Sequence, residues 1–319
     1  MRYYFRIFSI ICFILSTVCF ILSEALALEK YMLIKSMNLQ QMEDVINGFK
    51  ESLPIAPVFI YDMEGKANEK KIQEIITSEK PSVIITLGTL ASESVVKIEK
   101  KIPVLFAMVI NYKQYDFLRQ NNVTGISMEI PPANLFTQLK MLVPEMDSVG
   151  VPYSSSFLSE SLNEAFEASK LMGIKLVPFV VKNPQDITKD LTRKEQQFKG
   201  LWMIADTKLY NISTNAVLDL ILFAKAKKKP LLVFSEAFLS RGAFFSLSIN
   251  YKSLGSQLAV MVKLLVQEKR PLTELRIESP IGTYSVINKE IAKFLMGEKF
   301  DETMLEGLDK VYVNEKSNE

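Results

Sequence analysis

The sequence contains no histidine, and its two cysteines, Cys12 and Cys19, both lie near the amino terminus. The remainder of the chain therefore has no disulfide, no cysteine nucleophile, no histidine-based zinc site and no Ser-His-Asp triad. It also lacks the glycine spacings of dinucleotide and P-loop sites, the G-x-S-x-G of hydrolases and the H-E-x-x-H of zinc proteases. These absences predict that the protein is not an enzyme and carries neither a cofactor nor a metal.

A large excess of charge is also missing, because 38 lysines and arginines face 36 acidic residues, for a formal net charge of +2. This balance gives no reason to expect binding to nucleic acid or to an anionic membrane surface. With 319 residues, 48% of them hydrophobic, the chain is long enough for two domains with cores of their own.

The first 27 residues differ from the rest of the chain. Arg2 and Arg6 precede an almost wholly apolar run over 7–22, and Ala25 and Ala27 provide the small residues of a cleavage site. This pattern predicts a signal peptide over 1–27, cut after Ala27, and a periplasmic or other extracytoplasmic location. An uncleaved membrane anchor is the competing interpretation, although the run is short for a bilayer span of about 20 residues.

The stretch PSVIITLGTLAS over 81–92 shows how the rest of the chain is organised. Ser82 to Leu87 is apolar and β-branched, as in a strand buried on both faces. Gly88 ends this strand, and Thr89 is placed to cap a helix that begins at about Leu90. In open α/β sheets ligands bind beyond the carboxyl ends of the strands, where a helix start offers free N–H groups to an anion.

Strands and helices alternate along the whole chain, which predicts parallel sheets with helices on both faces. The arrangement also occurs twice, since KKIPVLFAM at 100–108 is echoed by KKKPLLVFSE at 227–236. The fold class expected is therefore α/β, with two doubly wound parallel-sheet lobes and a ligand cleft between them.

Polar and aromatic residues follow several of the predicted strands at their carboxyl ends. The candidate ligand-binding residues are Thr89, Asn111, Tyr153, Ser156, Asp206, Ser235 and Glu236. Hydroxyl groups at helix starts suit a carboxylate, and Asp206 with Glu236 suits an ammonium group, so the set fits a zwitterion. The structural alternatives are that the serines form a turn, that Asp206 and Thr89 are N-caps, and that Glu236 is solvated.

An ordered series of motifs from about Ser82 to Met296 resembles the substrate-binding proteins of ABC transporters, in the tryptophan/tyrosine-type group. The matching stretches are IITLGTLAS, KKIPVLFA, NVTGIS, LVPEMDSVGVPYSSS, GLWMIAD, KPLLVFSE and RGAFFSLSINYKSLG. The resemblance implies the type I periplasmic-binding-protein fold. It further implies ligand contacts near Thr89 and Asn111, at Ser156 and Asp206, and at Ser235 and Glu236.

The resemblance also implies a domain organisation and a function. We expect an N-terminal lobe of 28–144 and 250–270, and a C-terminal lobe of 145–249 and 271–319. The expected function is the capture of a small polar ligand, such as an amino acid or a related zwitterion, by lobe closure for an ABC importer. The alternative is a sensing subunit that presents the closed state to a membrane histidine kinase. The expected partners are the small ligand and a membrane permease or sensor kinase, with the protein itself a monomer.

Overall fold

The computed structural model describes residues 29–157, 162–211 and 213–313. The predicted signal peptide, both cysteines and the polar tail from 314 lie outside these ranges. Within them the strands are β1 (Tyr31–Lys35), β2 (Val58–Asp62), β3 (Val83–Leu87), β4 (Val104–Ala107), β5 (Val123–Gly125), β6 (Ser148–Ser154), β7 (Lys175–Val181), β8 (Gly200–Trp202), β9 (Leu231–Val233), β10 (Phe245–Ile249), β11 (Thr283–Asn288) and β12 (Lys310–Tyr312). The α-helices are α1 (Gln40–Ser52), α2 (Glu69–Glu79), α3 (Thr89–Ile98), α4 (Pro132–Leu142), α5 (Asn163–Leu171), α6 (Ile187–Lys194), α7 (Ala216–Ala226), α8 (Tyr251–Val266) and α9 (Lys289–Met296).

The first lobe is built on a parallel sheet with the strand order β2-β1-β3-β4-β5. Every residue of β1 and β3 is buried, because both faces of the sheet are covered. Along β1, Met32 and Ile34 belong to one apolar cluster and Leu33 to another, as the two-residue period of a strand requires. The continuous apolar runs in the sequence therefore correspond to central strands of a doubly wound sheet.

Helix α8 comes late in the chain but packs on α1 of the first lobe. The two helices approach closely at Gly48 and Gly255, where a Cβ atom would lie 2.0 Å from the carbonyl oxygens of Lys252 and Val45, respectively. Only glycine allows backbones to come this near, so the pair fixes how the returning segment sits on the first lobe.

The second lobe has a seven-stranded sheet with the order β12-β11-β10-β9-β8-β6-β7. Its strands are parallel except that β10 and β11 are antiparallel. After the carboxyl end of β10 the chain crosses to the first lobe, where it forms α8. It then returns to the second lobe at the side from which it left. Strand β11 must therefore run in the opposite direction. The predicted α/β class with two doubly wound lobes is confirmed, with this antiparallel pair as a local difference.

Three chain segments connect the lobes, namely 126–131, the junction of β10 with α8, and the stretch from α8 to β11. They lie against one another. The N–H of Ser127 donates to the carbonyl of Glu278 at 2.8 Å, and the side-chain amide of Gln257 donates to the Glu278 carboxylate at 2.7 Å. The hydroxyl of Thr124 also donates to the carbonyl of Leu275 at 2.9 Å. The N–H of Asn250, at the junction of β10 with α8, donates to the carbonyl of Gly282 at 3.1 Å, so all three connections belong to one hinge region.

The structure differs from the sequence predictions at several boundaries. Helix α4 packs in the apolar cluster of the second sheet, with the Phe136 ring 5.6 Å from that of Trp202 in β8, whereas the expected lobe boundary at 144 places it in the first lobe. Strand β4 ends at Ala107, because Met108 adopts a left-handed backbone with φ of 59°. Strand β12 was not predicted, since three residues carry too weak a pattern.

Candidate functional site

The loops at the carboxyl ends of the two sheets face each other. Asn111, which follows β4 in the first lobe, donates its side-chain amide to the carbonyl of Ala205, which follows β8 in the second lobe, at 3.2 Å. In doubly wound sheets this edge is where ligands bind. We therefore take the residues around this interlobe contact as the candidate ligand site.

Thr89 is the first residue of α3, and it is not the N-cap that the sequence suggested. Gly88, with φ of 90°, holds the cap position, and the Ser36 hydroxyl from the end of β1 accepts a hydrogen bond from the N–H of Ala91 at 3.0 Å. The N–H groups of Thr89 and Leu90 and the Thr89 hydroxyl have no partner among the described residues. Thr89 is partly exposed, so these donors are available to an anion.

Asn111 lies in a segment whose backbone is unusual for non-glycine residues. Both Met108 and Asn111 have positive φ angles, of 59° and 53°. The following residue, Tyr112, packs its ring 5.7 Å from that of Phe106, and burial raises its pKa, with a smaller contribution from Glu129. Strained backbone of this kind clusters at ligand sites, where neighbouring contacts hold it in place.

Asp206 is 3% exposed, and its carboxylate is fully engaged by the protein itself. It accepts hydrogen bonds from the N–H of Ser154 at 2.6 Å, the Ser154 hydroxyl at 3.0 Å, and the N–H groups of Lys208 and Leu209 at 3.0 and 3.1 Å. Three of these bonds are to Oδ1 and one is to Oδ2, and they hold the nearly inaccessible carboxylate within its own lobe. We therefore reassign Asp206 from holding a ligand cation to fixing the end of β6 on the turn over 206–209.

Of the two candidates at the end of β6, Tyr153 lies in the strand itself and Ser156 lies in the turn that follows it. Tyr153 is half-buried with its ring 6.1 Å from that of Phe157, and the Ser156 hydroxyl is 3.1 Å from the Ser154 hydroxyl. Ser156 was expected at a helix start, but α5 begins only at Asn163. Ser156 is exposed and remains able to contact a ligand.

The second predicted acidic residue, Glu236, is exposed and forms an ion pair with Lys310 of β12 at 3.3 Å. Its neighbour Ser235 accepts a hydrogen bond from the N–H of Ala237 at 3.4 Å and caps a short 3₁₀ helix. Asp206 and Glu236 therefore have separate partners, and their joint contact with a ligand cation stays a prediction.

A carboxylate that the sequence analysis overlooked lies in the first connection between the lobes. Glu129 is partly buried, and the donors that favour its ionised form are the Ser127 hydroxyl and the N–H groups of Glu129 itself and of Asn111. Burial raises the pKa of Glu129 despite these bonds and the nearby charge of Lys113. The available signal was one acidic residue in the apolar stretch SMEIPP, directly after a strand.

A buried lysine, also overlooked, lies at the carboxyl end of β1. Lys35 is 7% exposed and pairs with Asp62 at 3.1 Å, with Glu43, and with the Asn38 side chain at 3.2 Å. Burial lowers the pKa of Lys35, but the bonds and charges of Glu43 and Asp62 outweigh it, so the pKa is raised overall. All three N–H donors of the ammonium group are used, so this cluster is a structural anchor.

In the part of the chain that the structure describes, no group of acidic side chains is arranged to hold a metal ion. No helix in those ranges combines the length and apolar character that a membrane crossing demands.

The architecture is that of a two-lobed, ligand-capturing protein. A family model described as "ABC transporter substrate binding protein" matches residues 39–310, and the chain belongs to this family. A tyrosine-binding protein of Clostridioides difficile (strain R20291) is 19% identical over 268 residues, covering 82% of this chain and 76% of the relative.

Solved structures show the same fold. A ligand-free, open substrate-binding protein with adhesive properties from Clostridium difficile aligns with a TM-score of 0.72 and 17% identity, covering 90% of this chain and 100% of that one. A domain from Streptococcus pneumonia in complex with L-Trp aligns with a TM-score of 0.59 and 19% identity, covering 89% of this chain and 99% of that one. The fold is that of type I periplasmic binding proteins.

Proposed function

We propose that this protein captures a small ligand bearing a carboxylate, an amino acid being the best candidate, and delivers it to an ABC permease. The observation that carries the proposal is the start of α3, where the Thr89 hydroxyl and the N–H groups of Thr89 and Leu90 lie without partners at the carboxyl edge of the first sheet. An anion at that position gains both hydrogen bonds and the positive end of the helix dipole.

Two further features support an amino acid. Aromatic rings follow strand ends in both lobes, since Tyr112 follows β4 in the first lobe and Phe157 follows β6 in the second. Relatives of this chain are a tyrosine-binding protein and a domain solved with L-Trp. We therefore expect an aromatic amino acid to be among the ligands, with Thr89, Asn111, Tyr153 and Ser156 in or beside the site.

The proposed location is outside the cytoplasmic membrane, after removal of residues 1–27. The support is the basic, apolar and small-residue pattern of that segment. Amino-terminal sequencing of exported protein should begin at Leu28, whereas a chain beginning at Met1 in the membrane fraction would show an anchor instead.

A thermal-shift screen tests the ligand class, using L-tyrosine, L-tryptophan, the other amino acids, small carboxylates and nucleosides. A ligand at a hundred times its dissociation constant stabilises the folded state by about 2.7 kcal/mol. The proposal expects a shift with at least one amino acid, and Thr89→Val should reduce that affinity about tenfold, with Thr77→Val on the exposed face of α2 as the matched control. Stabilisation by nucleosides or sugars alone would contradict it. If a ligand is found, a histidine-kinase gene beside this one, in place of permease and ATPase genes, would favour the sensing alternative.

A further inference from the structure

Gln257 lies on the buried side of α8 and binds one short segment of the chain with its side-chain amide. The residue is 7% exposed. Its amide nitrogen donates to the Glu278 carboxylate at 2.7 Å and to the carbonyl of Ser279 at 3.0 Å, and its amide oxygen accepts from the N–H of Ile281 at 3.1 Å. Because unpaired polar groups are costly when they are buried, these three bonds hold the segment 278–281 on α8.

The segment 278–281 is attached to the first lobe from two sides. Helix α8, which holds it through Gln257, packs on α1 of that lobe. The N–H of Glu278 also donates to the carbonyl of Gly125, the last residue of β5, at 3.0 Å, and the carbonyl of Glu278 accepts from the N–H of Ser127 at 2.8 Å. The first and third connections between the lobes therefore start as extensions of the first lobe.

Gly282 is the first residue of the third connection beyond these bonds. Strand β11 of the second sheet starts at Thr283, so one residue separates the attached segment from the second lobe. In the second connection one residue, Asn250, likewise separates β10 from α8. The N–H of Asn250 donates to the carbonyl of Gly282 at 3.1 Å, and a Cβ atom on Gly282 would collide with the side chain of Ser253 in the first turn of α8. The two single-residue joints therefore lie side by side against α8.

We propose that Gln257 confines the bending of these two connections to Asn250 and Gly282, and that it is thereby a positioning residue for lobe closure. The inference rests on the proposed function, in which closure captures the ligand. Without the three bonds, the freely bending part of the third connection grows from Gly282 to 278–282. The lobes then sample more open arrangements, and the closed arrangement is less populated.

The effect of Gln257 on binding is indirect. Its hydrogen-bond partners among the described residues all lie in 278–281, and none of them is a candidate ligand residue. A lower population of the closed arrangement reduces the apparent affinity for every ligand by the same factor, because the ligand must draw on a smaller fraction of competent protein.

Distance measurements test the role of Gln257 without a ligand. Spin labels are attached to the mature protein at Lys66→Cys in the first lobe and at Lys182→Cys in the second, both of which are exposed. Gln257→Leu removes all three hydrogen bonds at nearly constant side-chain volume. Glu278→Gln keeps an acceptor oxygen for Gln257, and Gln267→Leu makes the test substitution at an exposed position directly after α8. Urea unfolding establishes that each variant folds.

The proposal expects Gln257→Leu to broaden the distance distribution of the free protein and to shift it to longer values, while Glu278→Gln and Gln267→Leu resemble the wild type. Calorimetry should show every ligand from the thermal-shift screen weakened by a common factor, about threefold or more, in Gln257→Leu.

An unchanged distance distribution, even in a less stable Gln257→Leu protein, would overturn the proposal and leave Gln257 a structural support. Losses of affinity that differ from one ligand to another would also overturn it, because they would mean that Gln257 contacts the ligand. If the screen finds no ligand, the proposed function fails, and the distance distributions by themselves then support or overturn the role of Gln257 in the hinge.

Discussion

The side-chain amide of Asn111 and the backbone carbonyl of Ala205 are joined by a 3.2 Å hydrogen bond that links the two lobes. The bond is made by a residue that the sequence places among the ligand contacts. Because Asn111 holds a left-handed backbone with φ of 53°, its side chain is directed by a strained loop and not by a regular strand.

Replacing Asn111 by alanine should favour opening of the lobes. A hydrogen bond contributes about 1 kcal/mol net, so the ratio of open to closed protein should rise about fivefold. Since the described residues contain no cysteine, spin labels at Lys66→Cys and Lys182→Cys, both exposed beyond strand ends on opposite lobes, report the separation. Asn121→Ala, at an exposed position in the same loop between β4 and β5, is the control. Identical distance distributions in Asn111→Ala and wild type would rule out a role for the bond.

Replacing Asp206 by alanine should destabilise the fold by about 3 kcal/mol, because it leaves buried N–H groups of Ser154 and Leu209 without an acceptor. Urea unfolding measures the change. Asp186→Ala, which removes an exposed carboxylate with no side-chain cap bond, should cost less than about 0.5 kcal/mol. A stable Asp206→Ala protein with weakened ligand binding would restore the sequence-based interpretation.

Replacing Ser36 by alanine should cost about 1–2 kcal/mol, since Ser36 both donates to the carbonyl of Leu87 at 3.0 Å and accepts from the N–H of Ala91 at 3.0 Å. The variant also loosens the start of α3, so binding of any carboxylate ligand should weaken with it. Thermal unfolding and calorimetry give the two effects. The comparison is Ser52→Ala, because the Ser52 hydroxyl makes no hydrogen bond within the described ranges. This variant should leave the stability and the ligand affinity near those of the wild type.

Acid should weaken the attachment of β12 through Asp309. Its carboxylate accepts the N–H and hydroxyl of Ser285 at 2.7 and 2.6 Å, and these bonds lower its pKa below the ordinary value of 3.8. A lowered pKa means that the folded state favours the ionised form, so the stabilisation is present above the unfolded pKa and is lost as pH falls through the folded one. Wild type should be more stable than Asp309→Asn at pH 7, and the difference should shrink towards pH 3. A constant difference across that range, measured by urea unfolding at each pH, would contradict the assignment.

The fold was predictable because it depends on short-range patterns. Apolar runs such as Val83–Leu87 are buried on both faces, and the alternation of strands with helices leaves few arrangements other than doubly wound sheets. The same patterns indicate the edge of the sheet where Thr89 and Asn111 lie. The place of a residue at the end of a predicted strand therefore predicts where that residue lies in the folded protein.

The roles of the individual side chains were decided by tertiary structure. Asp206 and Glu129 are each one acidic residue after a strand, and nothing in their local sequence tells them apart. In the folded protein Asp206 is 3% exposed and accepts four hydrogen bonds from its own lobe, whereas Glu129 stays partly exposed in the first connection between the lobes. Such partners come from residues distant in the chain, and the free energy of a charge depends on them more than on its neighbours in sequence.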